Sequence, residues 1–200
     1  MVLQEHSRFW TDIFGINDFF QSPFFMFGVQ VISPSFKAGS FKEYLEQRKV
    51  EVTTLDYLDT KADIIHDMNN PWNQHTNHLI GKFKVVCDIG CLEHVFDTAQ
   101  CLKNCFSLVE VGGLYVLHTP VSGYVKHGLH IFNHLMLRWV VENNGFEIKY
   151  LNYSDQQGNQ VSAPVRGTMS ETIMWMVAKK VKEVPFAVPM QKSQNEIIKA

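Results

Sequence analysis

The chain lacks an excess of positive charge: 18 Lys and Arg stand against 20 Asp and Glu in 200 residues, a formal net charge of −2. Without a basic footprint, general nucleic-acid binding has no electrostatic support. The chain also lacks any stretch near the roughly 20 uninterrupted apolar residues that a membrane span requires, so no membrane partner is expected. Met1-Val2-Leu3-Gln4-Glu5-His6 carries no positive segment leading into an apolar run, and a secretory route is not expected. No Gly-x-Gly-x-x-Gly follows the first strand pattern, which counts against a nicotinamide-dinucleotide enzyme. What is present is ordinary in bulk: 46% hydrophobic and 19% charged residues exclude global disorder. A cytoplasmic protein of one domain with its own core is expected. Its compositional excess lies in 15 Phe and 9 His.

Cysteine is scarce too. Cys87, Cys91, Cys101 and Cys105 form two C-x3-C pairs. Four thiolates can close a tetrahedral zinc site, but Cys87 ends an apolar run, and Cys101 and Cys105 lie one helical turn apart. They read as small buried hydrophobes, and an intracellular setting disfavours disulfides. His66, His75 and His78 include an H-x2-H pair, in an Asn-rich segment that reads as a solvated loop. No metal ligand set is expected.

Residues 1–22, with Phe9, Trp10, Ile13, Phe14, Phe19 and Phe20, read as an N-terminal helical cap. Apolar runs predict strands over 24–32, 51–57, 62–67, 83–88, 114–118, 146–153 and 172–181. Ser40 as N-cap, with Phe41, Tyr44 and Leu45 inward, predicts a helix after Gly39. Leu102, Cys105, Phe106 and Val109, at three- and four-residue steps, predict another over 98–109, closed by Gly112-Gly113. A further helix runs from His134 to Asn144 and stops at Gly145. Residues 68–81 and 119–133 read as loops. Strand 172–181 is apolar on both faces and therefore interior.

Alternating strands and helices predict an α/β fold, a Rossmann-like, doubly wound seven-stranded sheet with helices on both faces. It is mostly parallel, and the last two strands, with no helix between them, predict one antiparallel strand in the edge region. One domain over 1–182 and a partly disordered tail over 183–200 are expected. Ligands of such sheets bind beyond the carboxyl ends of the strands.

The segment Phe83-Lys84-Val85-Val86-Cys87-Asp88-Ile89-Gly90-Cys91-Leu92-Glu93-His94-Val95 precedes a helix and then Val109-Glu110-Val111-Gly112-Gly113-Leu114-Tyr115-Val116. This arrangement resembles the class I S-adenosylmethionine-dependent methyltransferases, specifically the type 11-like members. The resemblance covers residues 24–180 and implies S-adenosylmethionine as cofactor. It implies that Asp56, at the end of the second strand, accepts from the ribose hydroxyls. Asp67 and Met68 would lie beside the adenine, Asp67 accepting from its amine, while Ile89 and Gly90 bring the backbone close to the cofactor. The first motif departs from the pattern. Where the family has an acid and a Gly-x-Gly-x-Gly loop, this chain has Met26-Phe27-Gly28-Val29-Gln30-Val31-Ile32. Gly28 is expected to allow backbone approach there, and Gln30 to hydrogen-bond the cofactor's amino or carboxylate group.

Methyl transfer needs an in-line approach, exclusion of water and, for a hydroxyl or amine acceptor, a base. His94, His118, His127 and His130 are the candidates, the first three preferred, because an imidazole titrates near neutrality. His118 is expected directly after the fifth strand, and His127 in a lid over 119–133. Glu93 is expected to orient its own loop through the backbone. No Asn-Pro-Pro-Tyr-type tetrad follows the fourth strand, and there is no basic stripe. Both point to a small-molecule acceptor, with a hydroxyl or carboxyl group preferred. The other reading is a catalytically inactive methyltransferase-like protein acting as a binding or regulatory partner, which the degenerate first loop favours.

Overall fold

The computed structural model describes residues 7–30 and 37–188. Helix α1 (Ser7–Phe14) leads into β1 (Phe24–Phe27), α2 (Phe41–Glu46), β2 (Val52–Asp56) and β3 (Ile64–Ile65). Then come β4 (Phe83–Ile89), α3 (Thr98–Leu108), β5 (Val109–Ser122), α4 (His134–Asn143), β6 (Phe146–Ser154) and β7 (Thr172–Lys180). The strands form one sheet in the order β3-β2-β1-β4-β5-β7-β6. Pairing is parallel everywhere except at β7, which runs antiparallel to both β5 and β6. This is the doubly wound, mostly parallel seven-stranded sheet that the sequence predicts. β7 lies between two neighbours, and packing against both helical layers buries its side chains on both faces.

Alternate strand residues feed two cores, as the pleat requires. Phe25, Val86, Tyr115, Leu117, Met174 and Met176 face α3 and α4, meeting Cys101, Leu102, Cys105 and Phe106 from the first helix and Leu137, Val140 and Val141 from the second. Phe24, Met26, Val85, Cys87, Val116 and Trp175 face the other way, onto Phe9, Trp10 and Ile13 of α1 and Phe41, Tyr44 and Leu45 of α2. The Phe9 ring stacks on Trp175 at 5.3 Å, and Trp10 meets that indole edge-on at 5.6 Å. Helix α1 is thus bolted to the sheet face by aromatic contact. The cysteines are free thiols; Cys87, Cys101 and Cys105 are buried in these cores, as hydrophobe-like packing predicts. Ser40 caps α2 by accepting from the Glu43 amide at 3.1 Å, and Asn133 caps α4 by accepting from Leu135 and Met136.

Several boundaries differ from the pattern-based expectation. β1 stops at Phe27 before Gly28, whose φ of +72° leaves the strand region; residues 31 and 32 lie outside the described residues. β3 is only two residues long because Asp63 replaces ladder bonds with side-chain ones, accepting from the Thr54 amide and hydroxyl at 2.8 Å each. Gly112-Gly113 does not close α3. The helix ends at Leu108, and both glycines lie inside β5, in a bulge where register jumps from Phe83↔Val109 to Val85↔Leu114. A Cβ at Gly113 would lie 2.9 Å from the Lys84 carbonyl oxygen, so the close approach of β4 demands glycine there. β5 then runs past His118 to Ser122. At the other end, Phe186 packs on Phe106, and Asn144 both accepts from and donates to the Ala187 backbone; residues 189–200 lie outside the described residues. Among the described residues no helix is long and apolar enough to cross a membrane.

Candidate functional site

The sheet order reverses between β1 and β4, and a crevice opens there, as it does at the switch point of open α/β sheets. Its volume of about 410 Å³ suits a small molecule. Gly28, Gln30, Asp56, Asp67, Met68, Gly90 and His94, all singled out from the sequence, line it. Ile89, His118 and His127 do not. The Ile89 side chain packs in the α1 core, and its carbonyl reaches the site only by accepting from Gln30.

The β1–β2 wall is built from turns. Asp56 ends β2, and its Oδ1 accepts from the amides of Leu58 and Asp59 at 2.8 and 3.0 Å. Its Oδ2 lies toward Gly28, 3.8 Å from where a Cβ would stand. Asp67 is more fully engaged in its own loop, accepting from the Asn69 amide and side chain through Oδ1 and from Asn70 through Oδ2. Gln30 bridges the ends of two strands: its Nε2 donates to the carbonyls of Phe27 at 3.2 Å and Ile89 at 3.1 Å. That amide therefore lies across the switch point itself.

The β4–β5 wall is built around buried acids. Asp88 is fully buried, and its Oδ1 accepts from the amides of Cys91 and Leu92 while the Tyr115 hydroxyl donates to Oδ2. Burial, then the charge of Glu93, pushes Asp88 up to about 7. Glu93 is 1% exposed and is likewise raised by burial to about 7. Thr119 donates to Glu93 Oε2 at 3.0 Å, and the Glu93 carbonyl accepts from the amides of Leu129 and His130. Glu93 thus orients its surroundings through its backbone, and it fastens the 123–133 loop to the Leu92–His94 turn. Gly128 permits the fastening: at φ +68°, a Cβ would stand 2.9 Å from the Glu93 carbonyl oxygen.

That loop carries His127 to the side of His94, outside the crevice lining. Its Nε2 lies 3.8 Å from Glu93 Oε1, and its ring meets His94 edge-on at 5.3 Å. Burial and then the neighbouring His127 lower the pKa of His94. His118 is elsewhere. Because β5 continues to Ser122, His118 sits within the strand rather than after it, buried against Trp175 with ring centres 4.3 Å apart. Only its carbonyl serves the crevice, accepting from the Gly90 amide at 3.0 Å.

Sequence reasoning missed other lining residues. Tyr57, Asn69, Cys91 and Val95 follow directly on residues it did select, and His66 follows β3 beside Asp56. His66 falls just after β3 rather than within the strand expected over 62–67. It is buried against Trp72 at 4.8 Å, with Nε2 3.2 Å from the Asn70 carbonyl, whereas His75 and His78 are exposed. Position beyond a strand end was the available signal, and it applies to Tyr57 and His66 whatever their type.

No protein-family model and no curated protein matches the chain. Solved structures match its fold. One is the 1,6-didemethyltoxoflavin-N1-methyltransferase of Burkholderia thailandensis, solved with 1,6-didemethyltoxoflavin and S-adenosylhomocysteine bound. It is 10% identical with a TM-score of 0.57, over 90% of this chain and 79% of that one. A SAM-dependent methyltransferase from Archaeoglobus fulgidus is 14% identical with a TM-score of 0.55, over 88% of this chain and 92% of the other. The CMeT domain of the citrinin polyketide synthase is 10% identical with a TM-score of 0.50; the match covers 80% of this chain and 46% of that one. The fold is that of the class I S-adenosylmethionine-dependent methyltransferases.

Proposed function

We propose that the chain is an S-adenosylmethionine-dependent methyltransferase acting on a small molecule, through a hydroxyl or carboxyl group, and that 1–182 forms its single domain. The observation that carries this reading is the crevice at the β1–β4 switch point, with Asp56 at the end of β2 and glycines at positive φ on both strand ends. The residues fit the cofactor's nucleoside half. Asp56 Oδ2 is turned toward the Gly28 backbone, where a ribose diol can donate to it, and the buried Met68 gives the adenine an apolar neighbour. Four free thiols suit a reducing, cytoplasmic setting.

When bound, the cofactor supplies an electrophilic methyl group. The chain's own residues do the rest. Gly28 and Gly90 admit the ligand close to the backbone, and the 123–133 loop, held on Glu93, screens the β4 side from water. His94 and His127 offer imidazole nitrogens to an acceptor proton, and the Glu93 carboxylate lies 3.8 Å from His127 Nε2. His118 is not proposed as a base.

One observation favours the second reading, an inactive methyltransferase-like partner: the Gln30 amide spans the ends of β1 and β4 where the family keeps small residues. Thermal shifts with S-adenosylmethionine, S-adenosylhomocysteine and NAD separate the two. A ligand at about 100 times its Kd stabilises by about 2.7 kcal/mol, so either adenosyl compound is expected to raise the melting temperature. NAD is not. No shift with either adenosyl compound would favour the binding partner.

A further inference from the structure

Glu93, His94 and His127 bring one carboxylate oxygen and two imidazole nitrogens within 4.8 Å of one another. They come from two segments, the turn after β4 and the 123–133 loop. The convergence is built rather than incidental, because the loop is pinned to Glu93 by two backbone hydrogen bonds and by the close approach of Gly128. Glu93 Oε2 is occupied by Thr119, which leaves Oε1 turned toward His127. A carboxylate this buried is costly to keep charged without a cation beside it. Lys and Arg are absent from the trio, and the two other members are neutral-capable imidazoles.

We propose that Glu93, His94 and His127 form a binding site for one divalent transition-metal ion at the mouth of the crevice. Two imidazoles and one carboxylate are the ligand set of zinc sites that keep a position open, and of facial sites for ferrous iron. Metal–ligand bonds of about 2.1 Å place neighbouring ligand atoms about 3.4 Å apart in a tetrahedral site. The three atoms must therefore draw together by up to about 1.4 Å. Glu93 is the fixed member, and His94 and His127 are both exposed, so rotation of their side chains closes the distance. Three protein ligands leave positions for water or an acceptor oxygen, and His94, which also lines the crevice, turns those positions toward it. The ion's part in acceptor activation rests on the methyltransferase reading; its binding does not. With the ion in place the imidazoles hold metal instead of a proton, and the metal lowers the pKa of the oxygen it binds.

The experiment is calorimetric titration of chelator-stripped protein with Zn²⁺ and Co²⁺, with the visible absorption of the Co²⁺ adduct as a coordination readout. One site is expected, with an affinity that falls about tenfold or more in His127→Ala and in Glu93→Gln. His127 is exposed, so its variant is expected to keep the parent melting temperature even if Glu93→Gln folds poorly. A His75→Ala/His78→Ala variant is expected to bind as the parent does. No binding, or binding lost only with His75 and His78, would overturn the proposal. Thermal shift with S-adenosylmethionine on the same metal-free samples reports separately: its failure sinks the methyltransferase reading and leaves the ion result standing.

Discussion

The two walls of the crevice hold their acids in opposite ways. On the β1–β2 side, Asp56 and Asp67 are partly exposed and accept from amides and side chains two or three residues ahead. Such turns are self-contained: the hydrogen bonds given to each carboxylate come from its own loop. On the β4–β5 side, Asp88 and Glu93 are buried, and burial pushes both up to about 7. Glu93 alone touches Thr119, Leu129, His130 and the Gly128 approach, so this wall behaves as one interlocked unit. The wall assigned to the nucleoside is assembled from cheap local parts, and the wall assigned to the acceptor from costly long-range ones. A costly arrangement at a strand end is what a functional site looks like when local rules are broken.

The largest expected effect follows from placing the same methyl on each wall. Gly128 and Gly28 have nearly equal positive φ, +68° and +72°. A Cβ at Gly128 meets the Glu93 backbone at 2.9 Å, which cannot yield without freeing the loop, while a Cβ at Gly28 meets the end of the Gln30 side chain at 3.1 Å. Left-handed strain costs about 1–2 kcal/mol in both. The backbone clash adds to it only at Gly128, for a total of about 3 kcal/mol and a fall in melting temperature of about 10 °C. Gly28→Ala is expected to cost about half as much. Equal losses in thermal denaturation would mean that the walls are equally rigid.

Next in size is Asp56→Ala. Its effect is expected on affinity: about a tenfold weaker Kd for S-adenosylmethionine by calorimetry, or about 1.4 kcal/mol. An unchanged Kd would make Asp56 a turn acid alone.

Asp88→Asn probes the other wall through pH. The carboxyl titrates at 3.8 when unperturbed and at about 7 when folded. Between those values the folded state holds a proton that the unfolded state has lost, so stability rises as pH falls. A single group near 7 contributes roughly 1 kcal/mol of that rise between pH 8 and 6. Asparagine keeps an oxygen for the Cys91 and Leu92 amides but cannot titrate, so urea midpoints at the two pH values are expected to differ less than in the parent. Glu93 keeps the remaining slope. Parallel slopes in parent and variant would remove Asp88 from the buried-acid wall.

What the sequence made legible follows the same division. Seven strands, the interior position of β7 and the Ser40 cap were readable because period-two apolarity and capping chemistry are local. On the β1–β2 wall, Gly28, Asp56 and Asp67 were singled out by the family resemblance, and they line the crevice close after strand ends. The other wall was not readable. His118 was misplaced because pairing with the sequence-distant β7 carries β5 past it, to an end that Gly123, at φ +65°, marks only four residues later. Gly112-Gly113 looked like a helix stop because glycine signals a turn and a close strand approach alike. The meeting of His127 with Glu93 depends on the fold of a loop, to which periodicity is blind.

Gln30→Ala carries the smallest stability effect and bears most directly on the β1–β2 wall. Its amide lines the crevice and donates to the Phe27 and Ile89 carbonyls. Water can replace those donors, so the loss is expected to stay below about 1 kcal/mol. The consequence for ligand is larger in meaning than in size. If the amide stands in the space that the cofactor's amino-acid end requires, shortening the side chain leaves affinity unchanged or raises it. If instead the amide leaves its carbonyls to hydrogen-bond that end, as the sequence suggested, affinity falls. The observed geometry favours the first outcome, because leaving would break two hydrogen bonds to gain one or two. A clear fall in calorimetric affinity, of about threefold or more against an unchanged melting temperature, would reverse it. The first wall would then be a moving part as well as a set of turns.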